Sequence, residues 1–245
     1  GNDNHKSAEY TAMEFTLPAT MSLPIKLVVF DCDGTLVDSQ HAITACMDRA
    51  FSAVELTPPP LGHVRRVIGL PLAEAIAVLA DDAAAPIEQM VEAYSTAWQR
   101  VRHDKDMEEP LFEGVLDILD KLDNAGCLMG VATGKSMRGL EATLDKHGIG
   151  DRFVTLQTAD IARGKPDPDM LLRAMNETGV AAADTIMIGD TTFDIAMACA
   201  ANVRGYGVSW GYHEPEELRC AGAQAVLNSM AEIGPIIRIS EEITS

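Results

Sequence analysis

The sequence predicts an α/β protein, a doubly wound, Rossmann-like parallel sheet interrupted once by an all-helical insertion. Short apolar runs alternate with helical periods from Gly114 onward, which is the pattern of a parallel sheet covered on both faces. Between Val37 and Pro110 the periodicity is helical and no convincing strand is found. Polar clusters follow the apolar runs, where ligand sites of open α/β sheets lie.

The elements follow in chain order. Residues 1–22 are polar and lack the positive-then-apolar pattern of a secretory signal, so they read as a loose N-terminal tail. The apolar run Leu27-Val28-Val29-Phe30 is the first strand. Helical spacing over 39–54 puts Ala42, Ile43, Cys46, Met47, Ala50 and Phe51 on one side, and Pro58-Pro59-Pro60 ends it. Two further helices are expected near 71–80 and 86–102. Then come helix 114–125, strand 128–132, helix 136–147, strand 153–157, helix 168–179, strand 185–189 and helix 192–201. A weaker strand near 203–208, a helix near 214–221 and a strand-helix pair near 225–239 close the chain. The expected organisation is a core domain of residues 23–38 and 110–245 with a helical domain of residues 39–109 inserted into it.

Composition excludes several functions. A formal net charge of -18 opposes binding to nucleic acid or to anionic membrane. A small anionic substrate would need local positive charge from a metal, a lysine or helix N-termini. The five cysteines are odd in number and widely spaced, without a C-x-x-C pair, so neither a disulfide framework nor a zinc site is expected. A reducing cytoplasm fits best. No apolar run approaches the roughly 20 residues that span a bilayer. A monomer or a homodimer is expected.

The chemistry gathers at four strand ends. Asp31-Cys32-Asp33-Gly34-Thr35 places two carboxylates and a turn glycine directly after the first strand. If the strand alternation continued, Asp31 and Asp33 would face the same side and need a cation between them. Cys32 would point the other way, as a small buried side chain. Thr133-Gly134-Lys135-Ser136 offers a hydroxyl and backbone amides at a helix start, suited to a phosphate oxygen and equally to simple capping. Lys165, between Gly164 and Pro166, sits on a stiffened loop that can aim its ammonium. Asp190 and Asp194, in Gly189-Asp190-Thr191-Thr192-Phe193-Asp194, flank a helix start, where capping alone would explain either one. Capping does not explain all four clusters together. Asp31, Asp33 and Asp190 are expected to form an oxygen-rich pocket for a hard divalent cation, magnesium by preference.

These four motifs, in this order and with a helical insertion after the first, resemble the haloacid dehalogenase superfamily, in particular its helical-cap phosphatases of the phosphoglycolate phosphatase type. The resemblance covers about residues 23–239 and is carried most strongly by Asp31-Cys32-Asp33-Gly34-Thr35-Leu36-Val37-Asp38-Ser39. It implies a magnesium-dependent hydrolase of a small phosphorylated metabolite that works through an aspartyl-phosphate. Asp31 would be the nucleophile and Asp33 the acid-base. The metal would be held by the Asp31 carboxylate, the Asp33 main-chain carbonyl and Asp190, with Asp194 behind them or as an alternative ligand. Thr133, the Gly134 amide and Lys165 would bind the transferring phosphoryl group. Asp33 separates the chain from the dehalogenases of the superfamily, which lack a carboxylate there.

In the helical cap, Arg65-Arg66-Val67-Ile68-Gly69-Leu70-Pro71 resembles the loop that reaches the leaving group in relatives, so Arg66 and Gly69 are expected to set specificity. Arg66 or Arg65 would pair with a substrate carboxylate or second phosphate. Tyr94 and Trp98, four apart on a helix, read as cap core. The rival readings are a hexose-phosphate mutase of the same fold, a pyrophosphatase or nucleotidase, and a silent regulatory protein. The last predicts loss of at least one motif, and none is lost.

Overall fold

A computed structural model describes residues 24–105 and 107–237. The tail expected over 1–22 and the last residues of the expected closing helix lie outside them.

Six parallel strands form one sheet in the order β3-β2-β1-β4-β5-β6. They are β1 (Leu27–Phe30), β2 (Leu128–Ala132), β3 (Thr155–Gln157), β4 (Thr185–Gly189), β5 (Arg204–Val208) and β6 (Val226–Leu227). The chain winds outward from β1 in one direction and returns on its other side through β4. The order therefore reverses between β1 and β4, where a crevice opens at the carboxyl ends of the strands.

Register fixes what faces that crevice. Phe30 pairs with Val131 on one side and with Ile188 on the other. One or two residues past these pairs stand Asp31, Thr133 and Asp190, so three separate motifs meet at one edge. Alternation along β1 sends Val28, Phe30 and Cys32 into one apolar layer and Leu27 and Val29 into the layer on the opposite face. The core helices that cover these faces are α5 (Val115–Asn124), α6 (Met137–Lys146), α7 (Asp169–Thr178), α8 (Thr192–Ala200), α9 (Pro215–Ala221) and α10 (Ile233–Ile237).

Between β1 and β2 lie α1 (Gln40–Ser52), α2 (Leu61–Val67), α3 (Leu72–Ala80) and α4 (Ile87–Val101). They bury a third apolar cluster of their own, with Ile43, Met47, Phe51, Ile76 and Met90 at its centre. Helix α2 is absent from the sequence expectation. Its seven residues include Gly62 and follow three prolines, so propensity hides it; Pro60 fixes the extended backbone before it, and only Val64 and Val67 are buried.

The two crossings between cap and core run side by side. Asp38 donates its amide to the Pro110 carbonyl (2.8 Å), Phe112 donates to the Leu36 carbonyl (2.9 Å), and Val37 bridges Leu111. Among the described residues no helix is long and apolar enough to cross a membrane.

Candidate active site

Strand β1 stops at Phe30 because the chain turns. The amides of Thr35, Leu36 and Val37 all converge on the Cys32 carbonyl, and Gly34 takes a left-handed φ of +79°. A side chain at Gly34 would collide with the Asp190 carboxylate and reach within 2.9 Å of the Tyr212 ring. Gly34 thus serves both a turn and a close approach.

This turn separates the two aspartates that a continued strand would have aligned. Asp31 lies with Asp190 and Asp194, and one oxygen from each falls within 4.8 Å of the others. The Asp33 side chain lies outside that cluster. It accepts a hydrogen bond from the Ser39 hydroxyl (2.6 Å) and an ion pair from Lys135 (3.3 Å). The expected pocket of Asp31, Asp33 and Asp190 side chains is therefore corrected: Asp194 supplies the third carboxylate.

Each member of the cluster is held from outside it. The Lys165 ammonium, 1% exposed, stands 3.0 Å from Asp31 and 2.7 Å from Asp194. Asp190 accepts from the Thr35 hydroxyl (3.1 Å) and the Tyr212 amide (2.9 Å). Asp194 completes a capping box at α8, one oxygen accepting from the Thr191 amide (3.0 Å) and hydroxyl (2.9 Å). Capping and membership of the cluster are both true of Asp194, because a carboxylate has two oxygens. Asp31 accepts the Cys32 amide (2.7 Å) on the oxygen that faces Lys165, while its other oxygen, Oδ2, is buried without a hydrogen-bond partner.

Three buried carboxylates against one ammonium leave an excess of negative charge in a dry place. Burial, then Asp194, push the Asp31 carboxyl well above the usual range against the pull of Lys165. Burial and then Asp194 also push Asp190 up to about 7. For Lys165, burial works against the charge, but Asp194 and Asp31 more than offset it and hold the ammonium above its ordinary value. All-oxygen donors, a buried carboxylate oxygen without a partner and uncompensated charge together fit a hard divalent cation.

The metal-free protein is therefore expected to lose stability as pH rises. A carboxyl whose folded value lies above its unfolded one stabilises the fold below the unfolded value, near 4, and that contribution disappears as pH passes through the folded value. For Asp190 the window runs from about 4 to about 7. Magnesium should raise the Tm more at about pH 8 than at about pH 5, because it replaces protons in the cluster. Thermal melts in chelator and in magnesium across this range measure the difference; an equal response at both ends would contradict the assignment.

The remaining expected residues fall around this cluster. Thr133 is fully buried at the end of β2, its hydroxyl accepting from the Lys135 amide (3.2 Å). Gly134 lies under the cap: a side chain there would stand 2.6 Å from the Leu70 carbonyl and 2.7 Å from that of Gly69. Gly69, with φ +109°, approaches Phe193 and Thr191, so the cap loop sits between two of the core loops.

The cap arginines are placed differently from the expectation. Arg66 makes a two-pronged pair with Glu217 (2.7 and 2.8 Å) on the exposed surface, and Arg65 packs over the Tyr212 ring and donates to the Gly211 carbonyl (3.2 Å). Arg65 thus reaches the β5–α9 loop and Arg66 the first turn of α9. His213 joins them. Its Nδ1 accepts the Thr192 amide (3.1 Å), which leaves Nε2 to donate to the Arg66 carbonyl (3.2 Å).

Above Asp33 and Gly134 lies a cavity of about 500 Å³ between cap and core. Tyr94 and Trp98 pack against the cap core as expected and also line this cavity. Lys135, which the sequence reading named only within its cluster, enters the cavity with its ammonium 4.1 Å above the Trp98 ring. Its position between Gly134 and Ser136 was the available signal. Cys32 is buried and its thiol pushed well up by burial, so it stays protonated.

A carboxylate cluster at the switch point of a parallel sheet, contacted by one buried lysine and covered by an inserted helical lid, defines a class. Residues 28–208 match the family described as haloacid dehalogenase-like hydrolase, and the chain belongs to that family. Among its relatives is the protein named Probable phosphatase IndB of Dickeya dadantii, 34% identical over 84% of this chain and 91% of that one. The phosphoglycolate phosphatase of Rhodospirillum rubrum is 32% identical over 85% of this chain and 89% of its own. Among solved structures, a hydrolase from Pseudomonas syringae superposes with a TM-score of 0.76 at 25% identity, covering 90% of this chain and all (100%) of that one.

Proposed function

We propose that this protein is a magnesium-dependent phosphatase that hydrolyses a small phosphomonoester through an aspartyl-phosphate on Asp31. The carrying observation is the Asp31 carboxylate, buried, with one oxygen on Lys165 and the other without a partner beside Asp190 and Asp194. The relatives named as phosphatases support the same reading and make phosphoglycolate the reference substrate.

Magnesium would be held by the Asp31 and Asp190 carboxylates and the Asp33 main-chain carbonyl, with Asp194 close by, and would supply positive charge against the phosphoryl oxygens. In the first step an Asp31 oxygen forms a bond to phosphorus as the ester oxygen leaves on the opposite side, and Asp33 gives its proton to that leaving alkoxide. Ser39 and Lys135 hold Asp33 toward the cavity, where the leaving group must sit. In the second step a water attacks phosphorus, Asp33 takes its proton, the bond to Asp31 breaks and inorganic phosphate departs. Lys165, the Thr133 hydroxyl and the Gly134 amide would meet the equatorial oxygens, on which charge is spread at each transition state. The cap loop over Gly134 keeps bulk water out during the first step.

The test is phosphate release from phosphoglycolate, sugar phosphates, nucleotides and pyrophosphate, with and without magnesium. Magnesium-dependent release from at least one monoester is expected. Release from none of them, or release that ignores a chelator, overturns the reading.

A further inference from the structure

We propose that the alcohol released by this enzyme carries a flat, mainly apolar ring, which lies against Trp98 in the cavity between cap and core. The inference rests on the phosphatase reading and names the leaving-group class for that same site.

The cavity opens on Asp33, the proposed proton donor to the leaving group, so a leaving alcohol protonated there would extend into it. Its volume, about 500 Å³, falls in the range of whole-ligand pockets, and a two-carbon acid such as glycolate would leave most of it to water. Its walls are mainly aliphatic and aromatic, with Ile43, Met47, Val64, Ile68, Tyr94 and Trp98 prominent. Water against such walls is the unfavourable state, and an apolar body displaces it.

Tyr94 and Trp98 form an offset, near-parallel pair along the cavity wall. The planes of Tyr94 and Trp98 are within 6° of parallel, yet their centroids are 6.3 Å apart, too far for one ring to cover the other face to face. Trp98 is half-buried, so part of its surface stays available. The Lys135 ammonium already covers one face of Trp98, so an incoming ring would pack on the remaining surface and present its own π face to the same cation.

The two cap cations expected to meet a substrate carboxylate are engaged away from the cavity. Lys135 is already paired with Asp33, and Arg65 and Arg66 are engaged by the Gly211 carbonyl and by Glu217 of α9. Arg102, whose Nε donates to His103 (3.3 Å), and the exposed Arg138 also line the space, and a polar substituent on the ring could reach toward them.

Three primary-alkyl esters of similar intrinsic reactivity isolate the effect: ethyl, benzyl and 2-naphthylmethyl phosphate, compared with phosphoglycolate. With magnesium present, kcat/KM should rise at least about tenfold from the ethyl to the naphthylmethyl ester and exceed that for phosphoglycolate. Trp98→Ala should bring the naphthylmethyl-to-ethyl ratio close to one, while Trp98→Phe should keep most of it. A second measurement is equilibrium binding of naphthylmethyl phosphate to the Asp31→Asn protein, expected to be tighter than that of ethyl phosphate. Release from all esters without a ring preference, or a preference unchanged in Trp98→Ala, overturns the leaving-group assignment and leaves the phosphatase reading intact. Release from none of them overturns both.

Discussion

Asp31→Asn is expected to lower kcat by at least ~10⁴-fold while raising the Tm of the metal-free protein. The loss of turnover follows from the loss of the nucleophile, since an amide oxygen neither carries the charge nor forms a hydrolysable phosphate ester. The gain in stability follows from the company Asp31 keeps. Burial and the Asp194 charge already push its carboxyl toward the neutral form, so a neutral isostere removes repulsion that Lys165 does not fully compensate. The asparagine carbonyl would keep the Cys32 amide hydrogen bond, and the new NH₂ would take the place of the unpartnered Oδ2 and bring a donor into a cluster otherwise made of carboxylates. A gain of about 1–3 kcal/mol would raise the Tm by roughly 2–10 °C for a chain of this size. In magnesium the difference should shrink or reverse, because the variant has lost a ligand. Melts of both proteins in chelator and in magnesium, beside a phosphate-release assay, measure all three effects. A variant that is inactive and also less stable in chelator would contradict the electrostatic account of the cluster.

Lys165→Met should act in the opposite direction on stability. Methionine fills a similar volume without the charge, leaving Asp31 and Asp194 without the ammonium that stands 3.0 and 2.7 Å from them. Removing one partner from a buried ionic group costs about 3–5 kcal/mol, or roughly 6–20 °C in Tm. The loss should be largest in chelator at neutral pH and smaller in acid, where protons replace the missing cation. Turnover should fall by about 10²–10³-fold, as when one electrostatic contact to a transition state is removed. The double variant with Asp31→Asn should recover part of the lost stability, because the two side chains are in direct contact and their effects are not additive. A Lys165→Met protein that melts within about two degrees of the parent, in chelator at neutral pH, would exclude this role.

Local features carried most of what the sequence reveals. Strands such as Ile186-Met187-Ile188 are continuous apolar runs between turn signals, and parallel strands buried on both faces read that way. Asp31, Thr133, Lys165 and Asp190 each stand within a few residues of a strand end or on a stiffened loop, so their positions follow from chain-local punctuation. What was not legible depends on contacts between distant segments. The pairing of Arg66 with Glu217 joins residues 151 positions apart, and no local pattern distinguishes an arginine aimed at a substrate from one aimed at a neighbouring helix. The exchange of Asp33 for Asp194 in the cluster turns on one detail: β1 ends at Phe30 rather than two residues later, and a glycine turn breaks the alternation. Trp98 has the spacing of a core residue and is one in part; its second role comes from the gap between two bodies, which the sequence of neither reveals.

Tyr212 has a thermodynamic consequence of its own. Its amide holds an oxygen of Asp190, its hydroxyl accepts from the Ser39 amide (2.9 Å) and donates to Asp38 (3.2 Å) at the crossing into the cap, and its ring lies under Arg65 of the cap itself. One residue thus belongs at once to the cation site and to the lid. To whatever extent a bound cation steadies Tyr212 in this place, it favours the docked lid. Reciprocity then requires the docked lid to tighten its hold on the cation by the same factor. With magnesium bound at this site, ion affinity and lid posture would be linked, and a substitution of Arg65 on α2 is expected to shift the apparent dissociation constant of a metal that it never touches.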